Sequence, residues 1–427
     1  MSGAKKQIHL AAHFPGVNNT TVWSDPESGS QTDFSSFVHF AQTAERGLFD
    51  FLFLAEGLRL REHRGAIHDL DVVGRPDTLT VLNAIAAVTT SLGLGGTLNT
   101  TFNEPYELAR QLASLDHLSG GRAAWNLVTS SDTFTGENFR RGGFLRPEQR
   151  YARAQEILDV AKALWLSDGR PVEHHGEQFD VVGRFPLPRS PQGHPVLIQS
   201  GDSDEGREFG AATADAIFSR HGSLESGQAF YRNLKDRLPR YGRTDRDVTI
   251  LPATTFALGD TAEEATENAE RIRRAQVSPQ TAIAFLEQVW GRDLSGYDPD
   301  GPLPDVDPDP EGASITRGRV RHEKDTMAVA TRWRELAAAK GGLSIRELII
   351  ETTARQSFVG TPKQVARQLD DYVQQDASDG FILVPHLVPG GLDEFVDTVI
   401  PELQDLGSYR TDYSGPTLRD HLGLPHP

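Results

Sequence analysis

The sequence has no cysteine among its 427 residues. This excludes disulfides, iron–sulfur clusters, thiolate metal sites and cysteine nucleophiles. It also has no run of 18 consecutive apolar residues, which a membrane-spanning helix needs. Residues 1–14 carry two lysines but no long apolar stretch behind them, so they predict no targeting segment. We therefore expect a cytoplasmic protein.

Positive charge is scarce. The chain has 43 Lys and Arg against 60 Asp and Glu, a formal net charge of −17. A surface this acidic argues against nucleic acid or an anionic membrane as the main partner. The 37% hydrophobic content, which includes 21 Phe and 5 Trp, is sufficient for a folded core and excludes general disorder. The length fits two to three domains or one α/β barrel with insertions.

Short apolar runs alternate with amphipathic helical patterns along the chain. The runs predict eight strands, at residues 8–14, 49–55, 92–101, 123–130, 196–199, 216–219, 249–257 and 381–384. The helical patterns lie at residues 34–47, 79–89, 105–118, 147–165, 204–213, 224–237 and 262–274, with a further helix beginning at Pro362. Sustained alternation predicts a parallel sheet, and eight strands are the number that closes a (β/α)8 barrel. An open doubly wound sheet is the alternative, although the first strand is not followed by GxGxxG.

Three segments interrupt the alternation and are predicted as insertions in a single domain spanning residues 1–427. They are residues 131–146, 169–194 and about 293–321. The second contains two short strand-like pieces and predicts a hairpin. The third includes residues 297–312, where six acidic residues and five prolines predict a mobile loop that buries no core.

Function in a parallel barrel collects where the strands end at their carboxyl termini. The residues at those positions are polar: His13, Asn18, Asn19, Glu56, Thr97–Thr101, Asn126, Thr129, Ser130, Gly201–Ser203, Arg220, His221 and His386. No HxH, HExxH or closely spaced carboxylate group is present, so no metal site is predicted. His174 and His175 are adjacent in the predicted hairpin and would face opposite sides of it.

The segment QSGDSDEGREFG, residues 199–210, is the most suggestive local feature. Gly201 permits close backbone approach, and Ser203 is placed to cap the helix that follows. A helix N-terminus with free N–H groups suits a phosphate, although Ser203 could equally be an ordinary cap. Asp202, Asp204 and Glu205 would oppose a phosphate if they faced it. The segment lacks the GxSxG spacing of a serine nucleophile elbow.

Several segments resemble the bacterial-luciferase-like flavin monooxygenases. The match is to the branch of nitrilotriacetate monooxygenase component A, the dibenzothiophene sulfone monooxygenases and pristinamycin IIA synthase. It is carried by LDHLSGGRAAWNLVTSSD (115–132), FDFLFLAEGL (49–58), TLNTTFNEPYELAR (97–110), PEQRYARAQEILDVAKALW (147–165), PVLIQSGDSDEGREFGAATADAIF (195–218), FVGTPKQVARQLDDYV (358–373) and DGFIL (379–383). These segments are colinear over nearly the whole chain.

The resemblance implies a TIM-type barrel and a two-component monooxygenase. A separate NAD(P)H-dependent flavin reductase would supply FMNH2, and O2 would add to the flavin to give a C4a-(hydro)peroxide that oxidises a small organic substrate. The protein would hold the flavin and exclude water. The family also implies a homo-oligomer, a dimer or tetramer.

The resemblance assigns roles by position. Cofactor contacts fall on Glu56, Thr97, Asn126, Tyr151, Asp202 and Ser203, the last three near the phosphate. Relatives often have a histidine where Pro147 stands and a serine where Asp202 stands. Relatives also often have histidines before the tryptophan that corresponds to Trp23, where this chain has Val17–Thr20. The proton donor would then be His13 or His63, while Asn19 could donate a hydrogen bond without giving up a proton.

The loops at residues 59–75, 131–146 and 293–321 are predicted to form a lid that selects the substrate. Arginines in these loops, which could bind an anionic substrate or form surface ion pairs, are Arg59, Arg61, Arg64, Arg140 and Arg141. Three other functions stay open: an F420-dependent oxidoreductase on the related barrel, a flavin-binding protein without turnover, and a hydrolase.

Overall fold

Eight parallel strands close into a barrel in the computed structural model, which describes residues 5–14, 20–56, 58, 62–63, 76–129, 149–309, 316–317, 325–354 and 357–427. Numbered in chain order, the barrel strands are β1 (His9–His13), β2 (Phe51–Leu54), β3 (Gly93–Asn99), β4 (Ala123–Val128), β5 (Val196–Gln199), β6 (Ala216–Ser219), β7 (Thr249–Thr254) and β8 (Gly380–Leu383). Each strand pairs with the one before it, and β8 pairs with β1. The predicted (β/α)8 barrel is confirmed, and the open sheet is wrong.

Helices follow the strands and cover the outside of the barrel. They are α1 (Phe34–Arg46), α2 (Thr78–Ala86), α3 (Pro105–Leu118), α4 (Arg150–Trp165), α5 (Asp204–Thr213), α6 (Leu224–Lys235), α7 (Ala262–Gln276), α8 (Pro279–Trp290), α9 (Thr326–Ala339), α10 (Ile345–Thr353), α11 (Pro362–Gln374), α12 (Ile400–Asp405) and α13 (Leu418–His421). Every helix predicted from the sequence is present within a few residues. Several begin as their sequences indicate, with a Ser or Thr cap followed by proline, as at Ser278 and Thr361.

The predicted strand at residues 249–257 is wrong in one respect. The barrel strand ends at Thr254, and Phe256–Leu258 forms a separate strand that pairs in parallel with Phe358–Gly360. The break moves the chain from the barrel wall to the layer of α7 and α11.

The helices α8, α9 and α10 were not predicted. They pack on one another through a buried cluster that includes Leu286, Trp290 and Ile345. Residues 297–309 lie against this unit: Leu303 packs on the cluster, and the Trp290 indole donates to the Val306 carbonyl at 2.8 Å. The expectation that this acidic, proline-rich segment buries nothing is therefore wrong for its described residues.

The barrel interior is filled by alternate strand residues, among them Ala11, Phe51, Ile198 and Ile382. At the end where the strands begin, Leu418, Leu422 and Leu424 join this cluster, so the C-terminal segment closes that end. The opposite end, where the strands finish, is left for a site.

Two short antiparallel pairs complete the fold. Pro171–His175 pairs with Asp180–Arg184, which confirms the predicted hairpin, and Glu62–His63 pairs with Thr316–Arg317. Within the described ranges, no helix combines the length and the apolar character needed to span a bilayer.

Candidate active site

A chain of polar side chains crosses the inner wall where β3, β4 and β5 end. Thr97 and Asn126 lie opposite each other in the register of β3 and β4, and both are nearly fully buried. The Asn126 amide donates to Thr97 Oγ1 at 2.9 Å, and Ser200 Oγ donates to Asn126 Oδ1 at 3.2 Å. These bonds fix the Asn126 amide in one orientation, so its remaining N–H points in a defined direction.

Two glycines face each other after β5. A Cβ placed on Gly201 would lie 2.9 Å from the Gly206 Cα, and one placed on Gly206 would lie 2.9 Å from the Tyr151 hydroxyl oxygen. No side chain larger than hydrogen fits between these three groups. The Gly201 N–H donates to Gln199 Oε1 at 2.9 Å, which holds the turn. The arrangement brings Tyr151, from the start of α4, onto the N-terminus of α5.

Ser203 caps α5: its hydroxyl oxygen accepts from the Gly206 N–H at 3.1 Å. Two acidic residues beside Ser203 form ion pairs with arginines. Asp202, mostly exposed, pairs with Arg207 at 3.1 Å, and Asp204 pairs with Arg237. The hydrogen bond and charge of Arg237 lower the pKa of Asp204. Two of the three carboxylates that could repel a phosphate here, Asp202 and Asp204, are thus paired with arginines.

Arg150 adds positive charge next to Tyr151. Its guanidinium carbon lies 4.9 Å from the centre of the Tyr151 ring, and its Nε is buried without a hydrogen-bond partner. The other face of the site is apolar, since Tyr151 also packs against Phe209 with ring centres 5.5 Å apart. An unpaired buried donor of this kind is suited to an anionic ligand.

A cavity of about 740 Å³ opens at the ends of β1, β6, β7 and β8. His13 lines it with its ring tilted against that of Phe53 at 5.4 Å, and the Phe53 ring in turn lies 5.4 Å from that of Phe218. Thr254 Oγ1 and His221 Nε2 also belong to lining residues, and both atoms are buried without a partner. The volume is within the range of about 300–1,000 Å³ that is common for ligand pockets.

The structure does not bring Glu56 to these groups. Glu56 lines a separate cleft of about 370 Å³ beside α2 and α3, with Asp77, Asn83 and Arg110. The alternation of β2 accounts for this, because Phe51, Phe53 and Ala55 face the interior and Glu56 follows them.

Several predicted residues lie outside the described residues. These are Asn18, Asn19, Ser130, Pro147, the loop arginines Arg59, Arg61, Arg64, Arg140 and Arg141, and the predicted insertion at residues 131–146. The backbone of His63 is described, in the short strand paired with Thr316–Arg317.

His174, His175 and His117 each bond a neighbouring side chain or carbonyl. His174 binds Glu156, whereas His175 binds Glu173 and Asp180, so the adjacent pair faces two directions as expected. His117 bonds the Pro188 carbonyl at the end of α3. Burial lowers the pKa of His386 to about 4. No set of three His, Asp or Glu in the described part of the chain is arranged to hold a metal ion.

Sequence reasoning missed Thr254 as a member of the site, and it named Ser200 and Gly206 only as part of the segment 199–210. Ser200 and Thr254 are each at or directly after the end of a barrel strand, so exact strand ends would have found them. It also missed the contribution of α10, whose Thr352 and Thr353 line the cavity. The sequence feature that could have identified α10 is the capping box of Ser344 and Glu347 at its start.

Comparison with family models gives one match over most of the chain. Residues 17–379 match the family described as luciferase-like monooxygenase.

Two characterised relatives share 36% of their residues with this chain. One is nitrilotriacetate monooxygenase component A of Aminobacter aminovorans, aligned over 460 residues that cover 100% of this chain and 98% of the relative. The other is the dibenzothiophene-sulfone monooxygenase of Rhodococcus erythropolis strain XP, aligned over 454 residues that cover 99% and 98%. Both alignments are end to end.

The fold is also that of a solved enzyme. The crystal structure of riboflavin lyase RcaE with modified FMN and riboflavin superposes with a TM-score of 0.79 at 27% identity, covering 98% of this chain and 96% of that one. The barrel and its added elements are therefore shared along nearly the full length.

Proposed function

The chain belongs to the luciferase-like monooxygenase family, and on this premise we propose that it oxidises a small organic substrate with O2 and reduced FMN. The observation that carries the proposal is the convergence of Tyr151, Gly201 and Gly206 on the capped N-terminus of α5. This set offers backbone N–H groups, a hydroxyl and the adjacent charge of Arg150 to a phosphate.

FMN fits the groups that are present. Its phosphate would be held beside the Tyr151 hydroxyl and the capped N-terminus of α5 at Ser203, where the carboxylates of Asp202 and Asp204 are paired with arginines. The buried Nε of Arg150 lacks a partner beside this position. Asp202 would contribute through its backbone N–H, because its carboxylate is bonded to Arg207.

Thr97 and Asn126 would contact the polar ring edge or ribityl chain of the flavin. The bond from Ser200 holds the amide oxygen of Asn126, so one amide hydrogen remains free to donate. When bound, the reduced flavin supplies the electrons with which O2 is activated. The chain's own task is to orient the flavin, exclude water and place the substrate in the cavity beside it.

His13 is the described candidate for moving a proton in this cavity. It ends β1, is almost fully buried, and lines the cavity against Phe53. We retain Asn19 and His63 as further candidates from the family resemblance, and Glu56 as a contact that would require the flavin ring to reach its separate cleft.

The relative named as component A implies a second component, and we propose that a separate NAD(P)H-dependent flavin reductase supplies the reduced flavin. We also propose a homo-oligomeric state, a dimer or tetramer. Sedimentation equilibrium of the purified chain distinguishes these from a monomer.

The test is anaerobic titration of the protein with FMNH2, oxidised FMN and reduced F420, followed by tryptophan fluorescence. We expect FMNH2 to bind more tightly than the other two. A preference for reduced F420 would replace this proposal with the deazaflavin oxidoreductase. Binding of oxidised and reduced FMN with equal affinity would favour a carrier without turnover.

A further inference from the structure

The cavity at the barrel mouth differs in charge from the rest of the molecule. Of the 427 residues, 60 are Asp or Glu, yet none of the 19 described residues that line this cavity is acidic. A random sample of that size from this chain would contain two or three carboxylates. The lining is instead mostly hydroxyl-bearing and aromatic residues, with one fixed positive charge, Arg220.

Arg220 follows the end of β6 and continues its inward-facing positions. Ala216 and Phe218 belong to the interior cluster, so the period of two places Arg220 on the same side, at the rim of the cavity. The Arg220 side chain is exposed, and it makes no hydrogen bond or ion pair with the described residues. Its five N–H donors are therefore available to a ligand from the cavity.

Uncharged polar groups surround this cation. Thr254 Oγ1 and His221 Nε2 are buried, lack partners and belong to residues that line the same cavity. Burial lowers the pKa of His221, so the ring is neutral near pH 7 and can donate or accept one hydrogen bond. The carboxylate of Asp202, whose charge acts on His221, is bonded to Arg207 at 3.1 Å.

We propose that Arg220 is the anchor for a carboxylate of the substrate, which makes the substrate an organic acid. The proposal rests on the proposed function and specifies its substrate class. A guanidinium binds a carboxylate through two parallel hydrogen bonds, while the apolar wall of Phe218 and Phe358 receives the rest of the molecule. The relatives do not decide this class, because one is named for nitrilotriacetate and another for dibenzothiophene sulfone.

The test compares acids with their neutral counterparts. Nitrilotriacetate, thiodiglycolate and phenylacetate, each beside its methyl ester, are titrated calorimetrically into the full chain, with and without FMN. We expect at least one acid to bind ten-fold more tightly than its ester. R220Q should remove that preference and R220K should restore part of it. The control R232Q changes an exposed arginine on α6 and should leave the preference unchanged.

Each other outcome contradicts the proposal. Equal binding of acid and ester, binding of esters alone, no binding of any acid, or an acid preference that survives R220Q would each overturn it. So would a ten-fold loss of FMNH2 affinity in R220Q, because Arg220 would then serve the flavin phosphate. If the wild type binds no FMNH2 but keeps an Arg220-dependent acid preference, the flavin proposal fails and the carboxylate site stands.

Discussion

The Tyr151 hydroxyl lies over the facing glycines Gly201 and Gly206, where it can donate to a phosphate. A hydrogen bond to a charged group contributes about 1.5–3 kcal/mol, so Y151F should raise the Kd for FMNH2 by about 10- to 100-fold. Anaerobic titration measures this directly. The control is Y241F, which removes a hydroxyl bonded to Glu208 on an exposed part of the surface. An unchanged Kd in Y151F would show that Tyr151 is only a packing residue against Phe209.

Strand alternation decides which side chains point into the barrel, and the predicted direction was right only where alternation was taken into account. Thr97 and Asn126 face each other as neighbouring strand ends should. Glu56 was chosen for its place after the second strand and given its role by resemblance, although Ala55 continues the inward series of Phe51 and Phe53. The bond from Ser200 to Asn126 depends on a three-dimensional approach of β5 to β4 that no local pattern encodes.

At the scale of elements, the N-terminus of α5 both carries the Ser203 cap and forms part of the proposed phosphate site. Loss of an N-cap hydroxyl costs about 1 kcal/mol of stability, so S203A and S223A should both lower the free energy of unfolding by about that amount. Ser223 caps α6 in the same way, away from the facing glycines. Only S203A should also weaken FMNH2 binding. Urea denaturation measures the stability of both variants, and anaerobic titration measures their affinity for FMNH2. Equal FMNH2 affinity in the two variants would show that the N-terminus of α5 does not contact the flavin.

The C-terminal segment is held by buried ion pairs. Arg419, almost fully buried, bonds Asp215 at 2.9 Å. Burial alone would raise the pKa of Asp215, but the charge of Arg419, together with His194 and the hydrogen bonds from Leu197 N–H and Arg419, lowers it. D215N leaves the guanidinium unpaired and should lower the free energy of unfolding by about 3–5 kcal/mol in urea denaturation.

The matched control for D215N is D397N, which breaks the exposed pair with Arg46. It should cost less than about 1 kcal/mol. Equal losses in the two variants would contradict a structural role for the buried pair at the closed end of the barrel.

Helix α11, which begins with a Thr cap and proline, was predicted, whereas α8 was not recognised although Ser278 and Pro279 give it the same kind of start. Helices α9 and α10, which follow an acidic, proline-rich segment, were not recognised either. That segment was interpreted by composition alone. Its packing depends on particular contacts, such as the bond from Trp290 to the Val306 carbonyl and the pair of Arg334 with Asp307. Composition indicates the absence of regular structure there but does not indicate the absence of packing.

For the whole molecule, buried neutral histidines set the response to acid. Burial lowers the pKa of His194 and of His386 to about 4. As the pH falls below the unfolded value of about 6.5, the unfolded chain takes up protons that the native chain does not. The free energy of unfolding should therefore decrease from pH 6.5 towards pH 4.

Near pH 5, each histidine should contribute a slope of about 1.4 kcal/mol per pH unit. Urea denaturation at a series of pH values measures the slope, and H386N should reduce it by about that amount. A slope that is identical in H386N would show that His386 is protonated in the native chain or exposed in both states.

The whole barrel was predictable because its periodicity repeats eight times and each strand pairs with its neighbour in sequence. The acid-free cavity was not predictable, since it is assembled from β1, β6, β7, β8 and α10. The net charge is a sum over the whole chain, so it does not reveal a cavity whose lining lacks acidic residues.

The most direct measurement is rapid mixing of the anaerobic protein–FMNH2 complex with oxygenated buffer, followed by flavin absorbance. The account predicts that reoxidation is slower than for free FMNH2, because the protein shields the bound flavin from water. It also predicts that Y151F, at equal saturation, behaves as the wild type. Reoxidation at the rate of free FMNH2, in folded protein that is saturated with flavin, would contradict the assignment as a reduced-flavin monooxygenase.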